Sequence, residues 1–375
     1  MHRPGQTNRA DWSYLLRADN SPGLPQERGA YRGTLHRALL RPAGSGVNRA
    51  RTSSRHAGSD LTRVHEKERK SNAGAKPIDV VLMFKILVLQ QLHNLSDDRI
   101  EYRIRDRRSF MRFLGLELED RVPDAKTVWL FRERLKELEL VEVLFARFHE
   151  QLAVRGYVAR AGQMIDATFV EVPRQRNRRD ENAKIKAGET PPGWLEESAK
   201  PMLRQKDADA RWTKKNDENH YGYKNHVNAD QANKLVQGYQ VTDAAVHDSQ
   251  VFEVLLDQAE QGDGEKRPVY ADSAYRSQEK EAQLAAANIA SRICEKGVRN
   301  HPLTEAQMAS NTETSKVRSR VEHVSGAQAQ MGGHIVRTIG LLRARVKIGM
   351  MNPVYNMVRL GQLLRRDRRG ASAVA

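Results

Sequence analysis

Two short apolar runs in this sequence each end at an aspartate that small residues follow. One run leads into Asp166 in GQMIDATFV, and the other leads into Asp272 in RPVYADSAYRS. Apolar runs of this length, bounded by polar residues, are typical of buried β-strands. The pattern therefore predicts a sheet with Asp166 and Asp272 at the ends of two strands, where their carboxylates lie at the rim.

A third acid, Glu322, lies in KVRSRVEHV, which contains no Gly or Pro and has valines at helical spacing. This spacing predicts a helix with Glu322 beside the apolar stripe. Two rim aspartates and a helical glutamate would form an oxygen-rich pocket suited to Mg²⁺. Each acid alone has a structural explanation, because Asp forms turns and caps, and a Glu four residues after Arg318 forms an intrahelical ion pair.

Several longer motifs follow one another between about Val64 and Leu364. They are PIDVVLMFKILVLQQLHNLSDDRIEYRIRDRRSFMRFLGL, VPDAKTVWLFRERL, MIDATFV, HYGYKNHVNAD, VTDAAVHDSQ, VYADSAYRS and RSRVEH. In content and order they resemble bacterial insertion-sequence transposases of the DDE type, in the group called IS family five. The resemblance implies an RNase H-like catalytic core. It also implies that Asp166, Asp272 and Glu322 are the first, second and third catalytic acids and the metal ligands.

The sequence departs from the broader pattern of these transposases around the glutamate. That pattern has Tyr, Arg, Glu and Lys at the positions of Ser315, Arg318, Glu322 and Ala329. Arg and Glu match, whereas Tyr and Lys do not. The Lys of the pattern contacts phosphate, so that role is either taken by a neighbour such as Arg337 or lost.

The resemblance further implies a reaction and its partners. Two Mg²⁺ ions, for which Mn²⁺ could substitute, would be held by the three acids and would support strand cleavage at the element's ends, followed by attack of the freed 3′-hydroxyl on target DNA. The partners would be double-stranded DNA with the terminal inverted repeats, and target DNA. Since transposition joins two ends, a homo-oligomer is expected in the DNA complex.

The predicted fold class is α/β: an RNase H-like mixed sheet with flanking helices, preceded by a helical N-terminal domain of helix-turn-helix type. We assign residues 1–60 to an atypical, disordered segment and 61–160 to the helical DNA-binding domain. Residues 161–350 form the catalytic domain, with a polar insertion at about 174–220, and 351–375 form a basic tail.

Residues 1–60 are dense in Arg, Gly, Ser and Pro and show no sustained apolar period. Their composition is compatible with a basic arm for DNA. It is equally typical of an unrelated reading frame or of a start placed too early, and we favour the second interpretation because the family motifs begin abruptly near Val64.

The helical region has clear start signals. Ser96 and Asp124 are predicted caps, and apolar residues of the helix after Asp124 share one face. The outward face of that helix would carry basic residues able to touch phosphates or bases, although such residues also occur on ordinary solvated faces. These residues are Lys126, Thr127, Arg132 and Arg134.

In the catalytic region, Trp212 beside Lys214 and Lys215 could stack on a base or anchor a flexible polar loop. YGYKNHVNAD and KLVQGYQVTDA predict a β-hairpin, from which Lys224 and His226 could face DNA or the metals. His247 and Asp248 are interpreted as capping residues, with Asp248 or Ser249 as the cap of a helix whose Val251, Leu255 and Ala259 point inward. The predicted DNA-binding residues are Lys126, Arg132, Lys224, Arg318 and Arg337.

Composition narrows the possible partners. The net charge of +16 and pI near 10.0 favour a polyanion over other ligands. The one cysteine, Cys294, excludes an intramolecular disulfide and a Cys-based zinc site, and a reducing cytoplasm is the simplest setting. No apolar run is long enough to span a membrane, and no nucleotide-binding fingerprint is present.

Three functions remain open on the sequence. The first is a transposase. The second is a catalytically inactive DNA-binding relic, for which the absent Lys argues. The third is a host nuclease with the same core that cuts without strand transfer. The intact acids favour an enzyme, and the helical N-terminal region favours transposition.

Overall fold

A computed structural model of the chain describes residues 60–65, 77–158, 161–175, 177–194, 196–199, 201, 205–215, 217–257, 266–297 and 301–373. The expectations for residues 1–59 and for Ala259 lie outside the described residues. The chain divides into two compact units. The first extends to Tyr157 and also includes the chain from Pro353, and the second spans Val158–Asn352.

The first unit is helical. After a 3-10 turn at Arg63–His65 it contains α1 (Val80–Leu92), α2 (Asp97–Asp106), α3 (Arg108–Leu114), α4 (Ala125–Glu137) and α5 (Leu140–Val154). The predicted caps are confirmed. Ser96 Oγ accepts a hydrogen bond from Arg99 N (3.2 Å), and Asp124 Oδ1 accepts one from Thr127 N (2.7 Å).

Helix α1 is the centre of this unit, because it packs against α2, α3 and α4. Its side chains are buried on nearly all sides, as expected for a helix that is apolar around its whole circumference. Four apolar residues are predicted to share the inward face of α4: Val128, Phe131, Leu135 and Leu138. The first three are buried, and Leu138, at the C-cap, is half-buried. Apolar periodicity therefore indicates the buried face of α4, whereas α1 is buried on nearly all sides.

The second unit contains the sheet. Its elements are β1 (Gln163–Glu171), α6 (Arg179–Lys186), β2 (Arg211–Lys215), β3 (Glu218–Asp230), β4 (Val236–Asp243), α7 (Phe252–Leu255), β5 (Lys266–Ala271), α8 (Gln278–Ala286), β6 (Ile289–Ile293), α9 (Glu305–Arg318), α10 (Glu322–Gln328) and α11 (Leu341–Gly349), and the last helix, α12 (Met351–Ala373), begins here. The strand order is β2-β3-β1-β5-β6, with β4 paired to β3.

The sheet is mixed. Strand β3 pairs antiparallel with β1, β2 and β4, whereas β5 pairs parallel with β1 and β6. Helices α8 and α9 pack on the parallel strands, and α11 packs on β3 and β4. A mixed sheet with flanking helices confirms the predicted RNase H-like fold class, including the hairpin of β3 and β4.

One local prediction is wrong. Asp166 is not the last residue of its strand, because β1 continues to Glu171 along β3. The segment predicted as a polar insertion contains β2, which extends the sheet because its backbone pairs with the start of β3.

The predicted cap near Asp248 is also misplaced. His247 caps the 3-10 turn Asp248–Gln250, with Nδ1 accepting from Ser249 N (3.3 Å). The helix that follows, α7, is only one turn long. Asp248 instead binds Lys224, a partner that lies too far away in the sequence for local capping rules to reveal.

Gly222 lies where β1, β2 and β3 meet, and it has a φ of +151°. A Cβ there would lie 2.3 Å from the carbonyl oxygen of Val170 and 3.0 Å from Glu171 Cα. Both obstacles are backbone atoms of the paired strand. The close approach of β1 and β3 therefore requires glycine.

Gly222→Ala should lower the free energy of unfolding by at least about 2 kcal/mol, since the strained φ and the backbone clash act together. Urea unfolding monitored by circular dichroism measures this loss. Gly193→Ala is the control, because a Cβ at Gly193 would have open space around it for 4 Å. Equal stabilities of the two variants would contradict this account of Gly222.

Candidate active site

Asp166 and Asp272 come together through the parallel pairing of β1 and β5. The two strands pair at Gln163↔Val269 and Met164↔Tyr270. Extending this register by two residues brings Asp166 level with Asp272, just beyond the last residue of β5. Neighbouring strands are about 4.8 Å apart, and side-by-side residues point to the same face. The two carboxylates therefore lie on one face of the sheet, at the carboxyl end of β5.

Asp166 is largely buried, with 15% of its side chain exposed. Burial is the largest influence on its carboxyl group and, together with the charge of Asp272, raises its pKa to about 6. A hydrogen bond from Ala167 N and the charges of Arg318 and Lys215 act in the opposite direction. The carboxylate is thus held in a place that favours either a proton or a cation.

The cation next to Asp166 is Arg318, the last residue of α9. Its Nη1 lies 3.7 Å from Asp166 Oδ2. This distance is longer than a hydrogen bond. In addition, Nε of Arg318 is buried without a hydrogen-bond partner among the described residues. A bidentate pair would use the guanidinium more fully. The ion pair therefore leaves donors of Arg318 available for another acceptor.

Glu322 opens α10, which confirms its predicted place on a helix with Val321 and Val324 buried. Its orientation follows from two contacts on either side. Arg318, which precedes the 3-10 turn Ser319–Val321, reaches Asp166. Ser325, three residues after Glu322 in α10, shares a hydrogen bond with Thr168 of β1 (3.1 Å between the hydroxyl oxygens). Residues three and four apart share a flank of a helix. Glu322 therefore lies on the flank that borders β1, and its side chain is exposed.

The pair of aspartates has the chemistry of a divalent cation site. Two carboxylates on one face, one of them with a raised pKa and a 3.7 Å ion pair to Arg318, provide hard oxygen ligands and negative charge. Within the described part of the chain, however, no three His, Cys, Asp or Glu side chains are close enough to hold an ion. Asp166 and Asp272 have the chemistry that suits such a cation, whereas the Glu322 side chain does not complete a group of three with them.

Asp272 also caps the 3-10 turn Ser273–Tyr275, since its Oδ1 accepts from Ala274 N (2.9 Å). The structural and the functional interpretation of this acid are therefore compatible. The hydrogen bond orients the carboxylate at the end of β5.

Lys224 is held on the other face of the sheet from Asp166. It pairs in register with Phe169, three positions after Asp166, and side chains alternate between faces. Its Nζ donates to Asp248 Oδ1 and to the carbonyl oxygen of Val246, both at 2.8 Å. Lys224 is nearly fully buried in this ion pair. DNA contact by Lys224 stays a prediction.

His226 lies on the same face as Lys224 and is fully buried, with Nε2 2.9 Å from Thr242 Oγ1. Burial lowers the pKa of His226 to about 4, against the opposing charge of Asp248. The imidazole is therefore neutral at pH 7. Because His226 is fully buried, none of its side chain is exposed for the predicted contact with DNA or metal.

In the helical unit, Arg132 forms a bidentate ion pair with Asp97, with both Nη–Oδ distances 2.7 Å, and also donates to Gln90. The outward face of α4 instead carries Lys126, with Trp129 and Leu130 beside it, 41% and 51% exposed. Among the predicted DNA-binding residues of this unit, Lys126 is the one whose side chain is exposed.

The family pattern has a Lys where this chain has Ala329, and two other basic residues are candidates for its role. Arg337 is exposed, but its neighbour Val336 pairs with Glu171, five residues beyond Asp166, or roughly 16 Å along the strand. Lys215 is exposed at the end of β2, and its charge lowers the pKa of Asp166. The sequence names Lys215 only as a neighbour of Trp212, because its proximity to Asp166 depends on the tertiary structure.

The two tryptophans of the segment predicted as a polar insertion differ in burial, and base stacking by Trp212 stays a prediction. Trp194 is buried and donates from Nε1 to Glu181 Oε1 (2.9 Å), so it anchors the segment. Trp212 is 39% exposed, and Arg174 lies over its ring at 5.6 Å.

Comparison with protein families gives two matches. A family model described as Transposase DDE domain matches residues 159–357, just over half of the chain. A second model, described as Transposase domain (DUF772), matches residues 52–134. No solved structure matches the chain significantly. The narrower assignment to IS family five stays a prediction. No helix in the described part of the chain is both long and apolar enough to cross a membrane.

Asp166→Asn should flatten the pH dependence of stability in metal-free buffer. With a pKa of about 6 when folded and about 4 when unfolded, the wild-type carboxyl binds more protons in the folded state across that window. The free energy of unfolding therefore falls as pH rises through it, by up to about 3 kcal/mol. The variant should be the more stable protein at pH 7.5, and its advantage should vanish at pH 4. Urea titrations at both pH values measure this, and an unchanged pH profile would contradict the raised pKa.

Proposed function

This chain belongs to the DDE transposase family, and on that premise we propose that it binds the ends of its insertion sequence and cleaves and transfers DNA strands there. The observation that carries the proposal is the register of β1 and β5, which brings Asp166 level with Asp272 on one face of the sheet. Such a pair is suited to phosphodiester chemistry, because carboxylates hold the divalent metal ions that this chemistry requires.

We infer that Asp166, Asp272 and Glu322 hold Mg²⁺, or Mn²⁺ in its place. When bound, the ions would polarise the scissile phosphate and favour ionisation of the attacking hydroxyl. The contribution of the chain is to keep Asp166 desolvated beside Asp272, so that the carboxylates gain more from a cation than they would in water. Glu322 supplies the third carboxylate from the flank of α10.

Arg318 has two partners in this proposal. In the structure it neutralises Asp166 through the 3.7 Å contact. Once a cation replaces it there, the guanidinium is available to a phosphate oxygen, which it can bind through two parallel N–H donors. Lys215, whose charge already reaches Asp166, supports the same phosphate in place of the Lys that is absent at Ala329.

A catalytically inactive DNA-binding relic is the second candidate, and Ala329 is the observation that favours it. The relic and the active enzyme share DNA binding and differ in metal-dependent cleavage. Cleavage is therefore the measurement that separates them.

Glu322→Gln should reduce nicking of a labelled duplex that carries the element's terminal repeat by at least about 100-fold in Mg²⁺ or Mn²⁺, because a neutral amide is a poor ligand for a hard cation. Binding of the same duplex should be retained. The matched control is Glu313→Gln, an exposed glutamate on α9 that pairs with Lys316 at the surface.

Wild-type binding without any nicking would establish the relic. Equal nicking by wild type and Glu322→Gln would remove Glu322 from the site. Loss of nicking in Glu313→Gln as well would show that the assay responds to helix charge and not to the proposed ligand.

Lys126→Ala should weaken binding to the terminal repeat and reduce the slope of log K against log salt concentration by about 0.9, the effect of losing one phosphate contact. Fluorescence anisotropy at several salt concentrations measures both quantities. The control is Lys136→Ala on the same helix, since Lys136 is already paired with Glu133 (2.6 Å). Identical salt slopes for all three proteins would rule out phosphate contact by Lys126.

A further inference from the structure

Three buried amide side chains form hydrogen bonds with one another at the end of α10, the helix that carries Glu322. Asn225 Nδ2 donates to Gln328 Oε1 (3.0 Å) and to Asn352 Oδ1 (3.2 Å). Gln328 Nε2 donates to Asn352 Oδ1 (2.8 Å), and Asn352 Nδ2 returns a longer bond to Asn225 Oδ1 (3.4 Å). We call these three residues the amide triad. Its members are between 0% and 4% exposed.

The amide triad joins three elements of the second unit. Asn225 belongs to β3, Gln328 is the last residue of α10, and Asn352 lies in the first turn of α12. On the sheet, Asn225 is directly opposite Thr168, whose hydroxyl bonds Ser325 of α10. Thr168 and Asn225, which are paired across β1 and β3, therefore bind Ser325 and Gln328. These two residues of α10 are three positions apart.

These contacts set the position of Glu322. The next place along the same flank of the helix, three residues before Ser325, is Glu322, and two residues before Thr168 on β1 is Asp166. Valine packing alone fixes a helix loosely, because apolar contacts are not directional. A satisfied, buried hydrogen-bond network permits one arrangement, since any shift leaves polar groups unpaired.

The chain after α10 has little freedom to compensate. Gly333 packs so closely that a Cβ would lie 2.6 Å from the carbonyl oxygen of Gln328, and Gly332 has a φ of +81°. The chain continues past Gln328 as a π-helical segment, Ala329–Gly333, which is interrupted at Gly332, and the amide triad is attached where α10 and this segment join.

We propose that the amide triad is a positioning device, which fixes α10 against β1 so that Glu322 can join Asp166 and Asp272 in holding the metal. This inference rests on the proposed function. None of the three amides is a metal ligand, and each acts through the helix that carries Glu322.

The other face of β3 offers a matched control. Asn228 is also a buried amide of β3, and its Nδ2 donates to Gln163 Oε1 (2.8 Å) and to the carbonyl oxygen of Leu255 (2.7 Å). Its partners lie away from α10. Replacing Asn225 or Asn228 by leucine removes the same chemistry from the same strand, but only the first change releases α10.

Asn225→Leu should raise the Mn²⁺ concentration for half-maximal nicking of supercoiled plasmid by about tenfold or more, the usual cost of losing an outer partner of a metal site. Asn228→Leu should leave it unchanged at equal folded fraction. Two readouts without DNA accompany the assay. Mn²⁺ binding by electron paramagnetic resonance should weaken by the same factor, and amide hydrogen exchange should quicken over residues 322–328.

A triple variant with Asn225→Leu, Gln328→Leu and Asn352→Leu separates position from stability. Replacing all partners of a buried network by apolar groups avoids unsatisfied polar atoms, so the melting temperature should recover toward that of wild type. If the amide triad positions Glu322, weak Mn²⁺ binding should persist in this stable variant. Recovery of wild-type Mn²⁺ binding together with stability would overturn the proposal.

The outcomes also separate this inference from the proposed function. If the wild type neither binds Mn²⁺ through Asp166, Asp272 and Glu322 nor nicks DNA, the proposed function itself is wrong. Normal wild-type behaviour with identical metal dependence in Asn225→Leu and Asn228→Leu would remove the positioning role alone.

Discussion

The pairing of β1 with two different neighbours is the constraint on which the catalytic unit depends. Along β3 it pairs from Gln163 to Glu171, whereas along β5 it pairs through two residues only. Strand β1 therefore passes beyond the end of β5, and Asp166 lies where the parallel partner stops. This arrangement places a carboxylate on the sheet face while antiparallel hydrogen bonds still hold its backbone.

The two faces of β3 divide the unit chemically. One face carries Asn225 toward α10 and the acids, and the other carries Lys224 into the ion pair with Asp248 and the neutral His226 into a hydrogen bond with Thr242. Charged groups on the second face are neutralised internally, which buried charges require. On the first face, Asp166 has its raised pKa and forms a longer ion pair with Arg318 (3.7 Å). The same strand thus supplies stability on one side and support for the site on the other.

Sequence patterns predicted several elements well and for identifiable reasons. The helix caps at Ser96 and Asp124 and the helix at Glu322 follow local rules that involve a few neighbouring residues. The three acids were found from their contexts and from the family motifs. Predictions failed where a distant partner decided the outcome. The predicted capping role of Asp248 failed because Lys224 binds its carboxylate. Arg132 pairs with the distant Asp97, and DNA contact by Arg132 stays a prediction.

The sequence by itself determined the family, the mixed α/β fold class and the identity of the candidate acids, because apolar periodicity, caps and ordered motifs are written locally along the chain. Only the tertiary structure decided which residues share a face. It brought Asp166 level with Asp272, attached α10 to β3 through Asn225 and Gln328, and buried Lys224. The physical reason is strand register, which depends on hydrogen bonds between residues that are far apart in the sequence and has no local signature.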